Sequence, residues 1–249
     1  MADEWWKQYF PLAAIEQIES ADSKNNVSEA DWIVECLAVK PPAAILDVPC
    51  GEGRLSREMA ARGYRVTGVD ITESLLEQAQ KRSAQAGLPV EFKHGDMRNL
   101  PWTNTFDGAF CYFGSFGYFD DEGNRTFVKA VAAALKPGAW FFVETHIMET
   151  LLPVYTPRGW HRAGDITVLQ DRSIDLRTGR VNAEWTYITA GKEAKATTSI
   201  RLYTFREMVT LFEEAGFTDC EGFDTTSRKS FAIGARRLTF VARRSDDTH

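Results

Sequence analysis

Between residues 44 and 143 the chain alternates short apolar runs with amphipathic segments, and this alternation constrains the fold more than any other feature. Helices that place apolar residues on one face are predicted over 55–62 and 73–86, and a third helix is predicted to carry Phe127, Val128, Val131 and Leu135. Strands separated by helices are typical of a parallel sheet that has helices on both faces. Runs with the length and composition of buried strands span 44–48, 64–70, 90–94, 106–112 and 140–143.

After residue 146 the pattern changes to strands without intervening helices. Residues 166–203 contain three runs in which apolar and polar side chains alternate, and turn signals at 177–179 and 190–192 separate them. We therefore expect a small antiparallel β insertion of three strands after the fifth strand of the sheet.

Capping signals predict where two further helices begin. Ser28 followed by Asp31 indicates the start of an N-terminal helix that ends before Pro41, and Thr204 with Glu207 starts the last helix. Two strands near 217–225 and 236–243 follow that helix. The predicted fold is α/β, with a doubly wound, mostly parallel, seven-stranded sheet.

The composition is that of an ordinary globular chain. Of the 249 residues, 44% are apolar and 26% are charged, which excludes disordered, collagen-like and coiled-coil classes. No run approaches the roughly 18 apolar residues that a membrane helix needs, and the acidic start does not resemble a signal peptide. A net charge of −6 argues against nucleic acid or an anionic membrane as a partner.

The cysteines are few and scattered. They form no CxxC pair of the kind that holds a metal, and their spacing does not suggest a disulfide framework. We therefore expect no bound metal and a reducing, cytoplasmic location. The four thiols belong to Cys36, Cys50, Cys111 and Cys220.

One stretch departs from the acidic balance of the chain. Between Arg228 and Arg244 there are six Lys or Arg residues and no acidic residue. They alternate with apolar side chains such as Phe231 and Phe240, so we expect a hairpin with solvated basic ends.

Glycines and carboxylates follow the first three predicted strands. Gly51 and Gly53 form a turn after the strand over 44–48, which contains Asp47, and such a turn lets a ligand approach the backbone and the amides of the next helix. Asp70 ends the second strand, nineteen positions after Gly51, where a carboxylate either accepts hydrogen bonds from both ribose hydroxyls of an adenosine or caps the helix that starts at Glu73. Asp96 follows the third strand and either accepts a hydrogen bond from an adenine amine or forms an Asx turn. Because ligands bind outside the carboxyl ends of strands in such sheets, we predict one adenosine site.

Two adenosine-containing ligands compete for this site, a nicotinamide dinucleotide and S-adenosylmethionine. A dinucleotide turn has a third glycine where this chain has Ser56, and the carboxylate of Asp47 would repel a pyrophosphate. The same carboxylate attracts a sulfonium. The charges favour S-adenosylmethionine and leave a dinucleotide oxidoreductase as the less favoured alternative.

Residues 45–54 resemble the glycine-rich first motif of class I S-adenosylmethionine-dependent methyltransferases. Residues 66–70 resemble the ribose-binding strand end of that family, and 95–97 its adenine-side motif. The resemblance covers roughly 28–146 and resumes at the last helix. Through residues 114–118 and the β insertion, the chain is most similar to bacterial small-molecule members, including sugar-amine N-methyltransferases.

The resemblance implies a Rossmann-like fold and a single methyltransferase domain over 1–249. Within it we expect an N-terminal helical arm over 1–43 and a cofactor-binding core over 44–146. A β insertion acting as a lid follows over 147–203, and the final helix and strands occupy 204–249.

The family's residues that bind S-adenosylmethionine can be carried over to this chain. Pro49 replaces the first glycine of the family's turn and has no N–H, so Gly51 and Gly53 have to supply the backbone amides. The cofactor contacts that the resemblance implies are Asp47, Pro49, Cys50, Gly51, Gly53, Arg54, Asp70, Ile71, Asp96, Met97, Tyr112 and Phe113.

Methyl transfer from a sulfonium is an in-line displacement, so the enzyme mainly has to bring the acceptor to attack distance. His146, just past the fifth strand, is the candidate base for an acceptor that must lose a proton, and is otherwise a packed histidine. Near the N-terminus, Trp5 and Tyr9 form either a lid or a packed arm. We expect acceptor contacts from Ser115, Tyr118, Trp160, His161, Trp185, Arg201 and Tyr203.

The sequence therefore predicts an enzyme that methylates nitrogen or oxygen of a small molecule. The alternative is a non-catalytic S-adenosylmethionine-binding protein, whose acceptor pocket would be filled by its own side chains. A protein acceptor stays open, whereas nucleic acid and membrane are not expected. The aromatic β insertion suits either a lid or a subunit contact, so both a monomer and a homodimer are compatible with the sequence.

Overall fold

The computed structural model describes residues 4–10 and 25–246, which contain seven α-helices and eleven strands. The expected arm at 1–3 and 11–24, and residues 247–249, lie outside the described residues. The helices are α1 (Trp6–Tyr9), α2 (Asn26–Leu37), α3 (Arg54–Ala61), α4 (Glu73–Gln85), α5 (Asp121–Ala134), α6 (Met148–Leu151) and α7 (Phe205–Glu214). The strands are β1 (Ala44–Asp47), β2 (Arg65–Asp70), β3 (Val90–His94), β4 (Phe106–Cys111), β5 (Leu135–Thr145), β6 (Arg158–Ala163), β7 (Ile166–Asp175), β8 (Arg180–Thr189), β9 (Lys192–Arg201), β10 (Phe217–Asp224) and β11 (Leu238–Arg244).

The larger sheet has seven strands in the order β10-β11-β5-β4-β1-β2-β3. Strands β3, β2, β1, β4 and β5 pair in parallel, and β11 is antiparallel to both of its neighbours. The predicted seven-stranded, mostly parallel α/β fold is confirmed. Strand β1 lies between β2 and β4, so the order in which the chain adds strands reverses there.

Helices cover both faces of this sheet because its central strands are apolar on both sides. Along β5, Phe141 packs with Phe127 and Phe212 on the α5 and α7 side. The next residue, Phe142, packs with Ile33 of α2 on the opposite side. Successive side chains of a strand point to opposite faces, so one strand supplies both cores.

The smaller sheet is the insertion expected after the fifth strand, but it has four antiparallel strands, in the order β6-β7-β8-β9, rather than three. The expectation of three strands was wrong because β6 is an edge strand whose side chains are mostly exposed. Without a buried face it has no apolar alternation for a pattern to detect.

Of the two predicted helix starts, one is confirmed and the other is wrong. The capping box of Thr204 and Glu207 is present at the start of α7, as expected. Helix α2, however, begins at Asn26, so Ser28 lies inside the first turn instead of capping it. That helix ends at Leu37, where Ala38 takes a left-handed conformation before the prolines.

The basic stretch from Arg228 to Arg244 forms the connection to β11 and β11 itself, and its cations are not simply solvated. Arg228 lies 5.2 Å from the ring of Trp32 and donates to Ser28. Arg237 forms an ion pair with the buried Glu144. The expectation of solvated basic ends was therefore wrong for Arg237, whereas Arg228 is exposed as expected. None of the helices within 4–10 and 25–246 has the length and apolar character needed to cross a bilayer.

Candidate active site

A cavity of about 550 Å³ lies at the carboxyl ends of β1, β2, β3 and β4, where the strand order reverses. This is the place where ligands bind in open α/β sheets, and the volume is that of a small-molecule site. Helix α1 and one side of the smaller sheet form the remaining walls. Those walls contribute Trp5, Trp6, Tyr9, Phe10, His161, Val168, Trp185, Tyr187, Thr198 and Ile200.

The glycine turn after β1 is fixed by the strand beside it. Asp70, at the end of β2, accepts the Gly51 N–H on Oδ2 and the Thr72 N–H on Oδ1, both at 2.8 Å. The Cys50 N–H also donates to the carbonyl oxygen of Val69 at 2.9 Å. Burial raises the pKa of Asp70, and the backbone N–H donors oppose that rise. Each oxygen retains a lone pair for a further donor, such as a ribose hydroxyl.

The carboxylate of Asp47 is buried at the floor of the cavity. The Ser56 hydroxyl, which lies in the first turn of α3, donates to its Oδ2 at 2.5 Å. Burial raises the pKa of Asp47 to about 7, against the opposing effects of Ser56 and Arg54. Ser56 therefore stands where a dinucleotide turn has its third glycine, and its hydroxyl gives the buried Asp47 carboxylate a hydrogen bond.

Arg54 begins α3 and closes one side of the turn. Its guanidinium lies 5.5 Å from the ring centres of both Tyr112 and Phe113, the residues that follow β4. It also pairs with Glu29 and donates to Asn26 of α2 at 2.8 Å. Arg54 thereby links helix α2 to the Tyr112 and Phe113 wall of the cavity.

The loop after β4 places an aromatic ring in the cavity. Phe113 has φ of +64° and is 45% exposed, an unusual combination for a bulky residue. The Gly114 N–H donates to the carbonyl oxygen of Glu144 at 3.1 Å. Arg237 pairs with the carboxylate of Glu144 and lies 5.9 Å from the Phe113 ring centre. Strand β5 thus holds the loop through one buried acid.

Asp96 lies after β3 and is held by Arg98. The Arg98 N–H donates to Oδ1 at 2.8 Å, and its guanidinium binds both carboxylate oxygens at 2.5 to 3.1 Å. These bonds lower the pKa of Asp96 despite its partial burial. The same guanidinium lies 4.2 Å from the ring centre of Phe119 and 5.9 Å from that of Trp6. Asp96 is therefore connected through Arg98 to α1.

The start of the chain bridges the cavity and the smaller sheet. The Trp5 Nε1–H donates to the carbonyl oxygen of Ser199 at 3.0 Å, and its ring packs edge-on against Tyr118 at 4.9 Å. The hydroxyls of Tyr9 and Tyr187 lie 2.9 Å apart. Helix α1 consequently forms a roof whose contacts reach β8 and β9.

Most residues that the sequence places at the site line this one cavity. From the cofactor set and the acceptor set they are Asp47, Pro49, Cys50, Gly51, Arg54, Asp70, Ile71, Asp96, Met97, Tyr112, Phe113, Ser115, Tyr118, His161 and Trp185.

Two other predicted residues, Gly53 and His146, lie outside this lining. Gly53 has φ of +71°, and a Cβ there would come within 2.7 Å of the Phe92 ring, so packing requires this glycine. The Nδ1 atom of His146 lies 3.3 Å from the Thr150 hydroxyl. Burial first, and then the charges of Arg237 and Arg172, lower the pKa of His146 to about 4.

Three predicted acceptor residues are likewise not brought to the cavity. Trp160 on β6 is 70% exposed. Arg201 pairs with Asp121 at 3.0 Å and with Glu207 at 2.8 Å. The buried Tyr203 hydroxyl donates to the same Asp121 carboxylate at 3.2 Å. These assignments stay predictions, and ion pairs and hydrogen bonds hold Arg201 and Tyr203 in their observed places.

Sequence reasoning missed several residues that shape the site. Ser56 had a detectable signal, because it stands at the last glycine position of a dinucleotide turn. Arg237 and Glu144 are 93 positions apart, and no local pattern joins them. The remaining lining residues that were not predicted include Trp6, Phe10, Val168, Tyr187, Thr198 and Ile200.

Comparisons with known proteins agree with this geometry. Residues 45–138 match the family model described as "Methyltransferase domain". The chain is 31% identical over 150 residues to the ubiquinone biosynthesis O-methyltransferase of Bordetella avium (strain 197N). It is 29% identical over 147 residues to the protein of the same name from Chromobacterium violaceum. Each match covers 58% of this chain and 57% or 59% of the relative, so it spans less than two thirds of their lengths.

Solved structures resemble nearly the whole chain in fold. A S-adenosylmethionine-dependent methyltransferase from Clostridium acetobutylicum ATCC 824 has a TM-score of 0.81 at 19% identity, covering 92% of this chain and 96% of its own. The S-adenosylmethionine-bound amino pentose methyltransferase CalS10 from Micromonospora echinaspora has a TM-score of 0.68 at 24% identity, with coverage of 93% and 95%. These likenesses concern the fold, and they agree with the Rossmann-like fold that the resemblance implies.

Proposed function

We propose, from the premise that residues 45–138 are a methyltransferase domain, that this chain transfers the methyl group of S-adenosylmethionine to a small-molecule acceptor. The observation that carries the proposal is the pair of buried carboxylates, Asp47 and Asp70, on either side of the Gly51 turn in one cavity. An anionic floor suits a cationic nucleoside and opposes a pyrophosphate. The Gly51 and Gly53 N–H groups, which were expected to serve the cofactor, instead donate to Asp70 and to the Cys50 carbonyl oxygen.

The residues present fit this cofactor. The lone pairs left on Asp70 suit the ribose hydroxyls, and the Asp96 carboxylate can accept an adenine amine beside its bonds to Arg98. The buried charge of Asp47 suits the cationic methionyl part, next to the Tyr112 and Phe113 wall. When bound, S-adenosylmethionine supplies an electrophilic methyl group on a sulfonium, whose sulfur keeps the bonding electrons.

The chain itself mainly positions the acceptor and excludes water. The cavity runs from the strand ends to Trp185 and Tyr187 of the smaller sheet, while Trp5 and Tyr9 form its roof. Holding an acceptor against a fixed partner can supply roughly 7–11 kcal/mol of the barrier. We propose α1 as the lid of this site. The base role of His146 applies only to an acceptor that has to lose a proton.

A small-molecule acceptor fits the site better than a protein acceptor or a non-catalytic role does. A non-catalytic cofactor-binding protein would fill the acceptor side with its own side chains, whereas the cavity here extends from the strand ends to Trp185 and Tyr187 of the smaller sheet. A roof over the cavity favours a small acceptor rather than a protein segment. The curated relatives are named O-methyltransferases and CalS10 an amino pentose methyltransferase, which supports nitrogen or oxygen as the accepting atom.

Two further parts of the proposal concern location and assembly. All four cysteines are free thiols, which supports a reducing, cytoplasmic location. The negative net charge supports a partner other than nucleic acid or membrane. The chain works as a monomer or as a homodimer, which sedimentation at several concentrations distinguishes.

A turnover experiment tests the proposed function. The protein is incubated with S-adenosylmethionine and pools of small phenols, amines and carboxylic acids, and mass spectrometry follows S-adenosylhomocysteine and any product heavier by one CH₂. We expect S-adenosylhomocysteine and the methylated product to rise together with one acceptor class. We expect neither to form with the Asp70→Asn variant. Tight cofactor binding with no turnover across all pools would instead support the non-catalytic alternative.

A further inference from the structure

The charged side chains that line the cavity are partly separated by sign. Its carboxylates, Asp47, Asp70 and Asp96, together with Glu52, lie at the carboxyl ends of β1, β2 and β3 on the cofactor side. Arg54 lies on that side too, at the start of α3. The other two basic side chains come from other elements, because Arg237 precedes β11 and His161 belongs to β6.

Arg237 is the cation that is best placed to meet an acceptor. Its guanidinium is 30% exposed and lines the cavity, whereas its counter-ion Glu144 is 2% exposed and does not. The Nε and Nη2 atoms of Arg237 donate to Glu144. Among the described residues, no acceptor takes a hydrogen bond from its third nitrogen, Nη1. Glu144 therefore binds the guanidinium on the side away from the cavity, and the N–H groups of Nη1 stay available to a ligand in the cavity.

The neighbouring loop is shaped to admit this guanidinium. A Cβ at Gly114 would lie 3.0 Å from Nη2 of Arg237, so glycine gives it room. On the other side the Phe113 ring centre lies 5.9 Å away. Glu144 also fixes this loop, because its carbonyl oxygen accepts the Gly114 N–H at 3.1 Å. The cation is thus positioned before any ligand arrives.

We propose that the acceptor carries a carboxylate, which binds Arg237 through Nη1 while the atom to be methylated faces the cofactor side. This inference rests on the proposed methyl transfer and names its substrate class. A planar carboxylate matches a guanidinium in shape and charge. An acceptor that binds as an ammonium would instead bring like charges together, which selects against it.

Three small aromatic probes of similar size and different charge test the proposal: benzoate, benzyl alcohol and benzylamine. Their dissociation constants are measured calorimetrically at pH 7 on protein saturated with S-adenosylhomocysteine. We expect benzoate to bind about tenfold tighter than benzylamine or more, as one charge-assisted hydrogen bond provides. The alcohol should lie between them.

The matched variant is the double substitution Arg237→Gln with Glu144→Gln, because removing Arg237 alone would leave a buried carboxylate without its partner. We expect the preference for benzoate to fall to within about twofold in this variant. As a control, Arg206→Gln removes one charge from an exposed position on α7 and should keep the preference.

The outcomes separate the two proposals. Failure of S-adenosylhomocysteine to bind would contradict the proposed function itself. Normal cofactor binding, with benzoate no tighter than benzylamine, would overturn the carboxylate acceptor alone. A preference for benzoate that survives in the double variant would also overturn the assignment to Arg237.

Discussion

Asp70 and Gly51 lie nineteen positions apart in the chain, and the Asp70 carboxylate accepts the Gly51 N–H at 2.8 Å. This bond joins the end of β2 to the turn after β1, at the point where the strand order reverses. The same carboxylate lines the cavity. One side chain therefore both shapes the turn and lines the cavity, and the proposed cofactor site would depend on it in both ways.

The substitution Asp70→Asn should weaken cofactor binding strongly. Asparagine keeps one carbonyl oxygen but loses the charge that makes both ribose hydrogen bonds strong, and it brings an NH₂ toward the Thr72 or Gly51 N–H. A hydrogen bond to a charged group is worth about 1.5–3 kcal/mol, so we expect S-adenosylmethionine affinity to fall about 10- to 150-fold. Titration calorimetry measures this directly.

A matched control for that variant is Asp165→Asn, an exposed position in the turn between β6 and β7. It removes the same charge without touching the cavity, and we expect affinity within about twofold of the parent protein. Equal losses in the two variants would mean that net charge, rather than the ribose contact, controls binding.

Asp47 should make both stability and cofactor binding depend on pH. Its pKa of about 7 lies above the unfolded value near 3.9. Between these values the folded protein binds more protons than the unfolded chain, so this contribution to the free energy of unfolding falls as pH rises from about 4 to 7. A bound sulfonium favours the carboxylate, so binding near pH 6 should release up to about one proton.

Calorimetry in two buffers with different ionisation enthalpies counts that proton. We expect the parent protein to release this proton and the Asp47→Asn variant to release much less. The free energy of unfolding of the variant should also decrease less between pH 5 and 7 than that of the parent. An unchanged proton count in the variant would show that another group titrates on binding.

The roof contact of Trp5 should slow the escape of the cofactor. Trp5→Phe keeps an aromatic ring near Tyr118 but removes the hydrogen bond to Ser199. A bond of this kind contributes about 0.5–1.5 kcal/mol, so we expect cofactor dissociation to be about 2- to 10-fold faster. Trp102→Phe, which lies outside the cavity lining, serves as the control. Identical dissociation rates in both variants would argue that α1 only packs.

His146→Gln tests whether a base is needed. A general base contributes about 10²- to 10⁴-fold to the rate. With a pKa of about 4, the imidazole is neutral at pH 7, and it lies outside the cavity lining. We therefore expect kcat to stay within about threefold, with approach of the acceptor as the main source of rate. A hundredfold loss of kcat, with KM unchanged, would establish the base.

The cofactor side of the site could be predicted from sequence because local pattern determines it. Asp47, Gly51, Asp70 and Asp96 each follow a strand that is recognisable by its apolar run, and parallel strands bring their carboxyl ends to one edge. The spacing of these residues therefore translates directly into proximity.

The acceptor side could not be predicted in the same way. Trp160 and Trp185 both lie in strands of the smaller sheet, yet only Trp185 lines the cavity. Which side of that sheet faces the cavity depends on how the sheet packs against α1 and the larger sheet. The alternation of apolar and polar residues along its strands does not determine this packing. Arg237 was obscured because a basic residue beside a strand is usually solvated, and its partner Glu144 is distant in sequence.

Thermal unfolding with S-adenosylmethionine, S-adenosylhomocysteine and NADH, measured side by side, tests the cofactor assignment most directly. A ligand present at 100 times its dissociation constant stabilises the folded state by about 2.7 kcal/mol, which for a chain of this size raises Tm by roughly 5–11 °C. We predict that rise with both sulfur compounds and none with NADH. A rise with NADH alone, or with none of the three, would contradict the assignment of this cavity to S-adenosylmethionine.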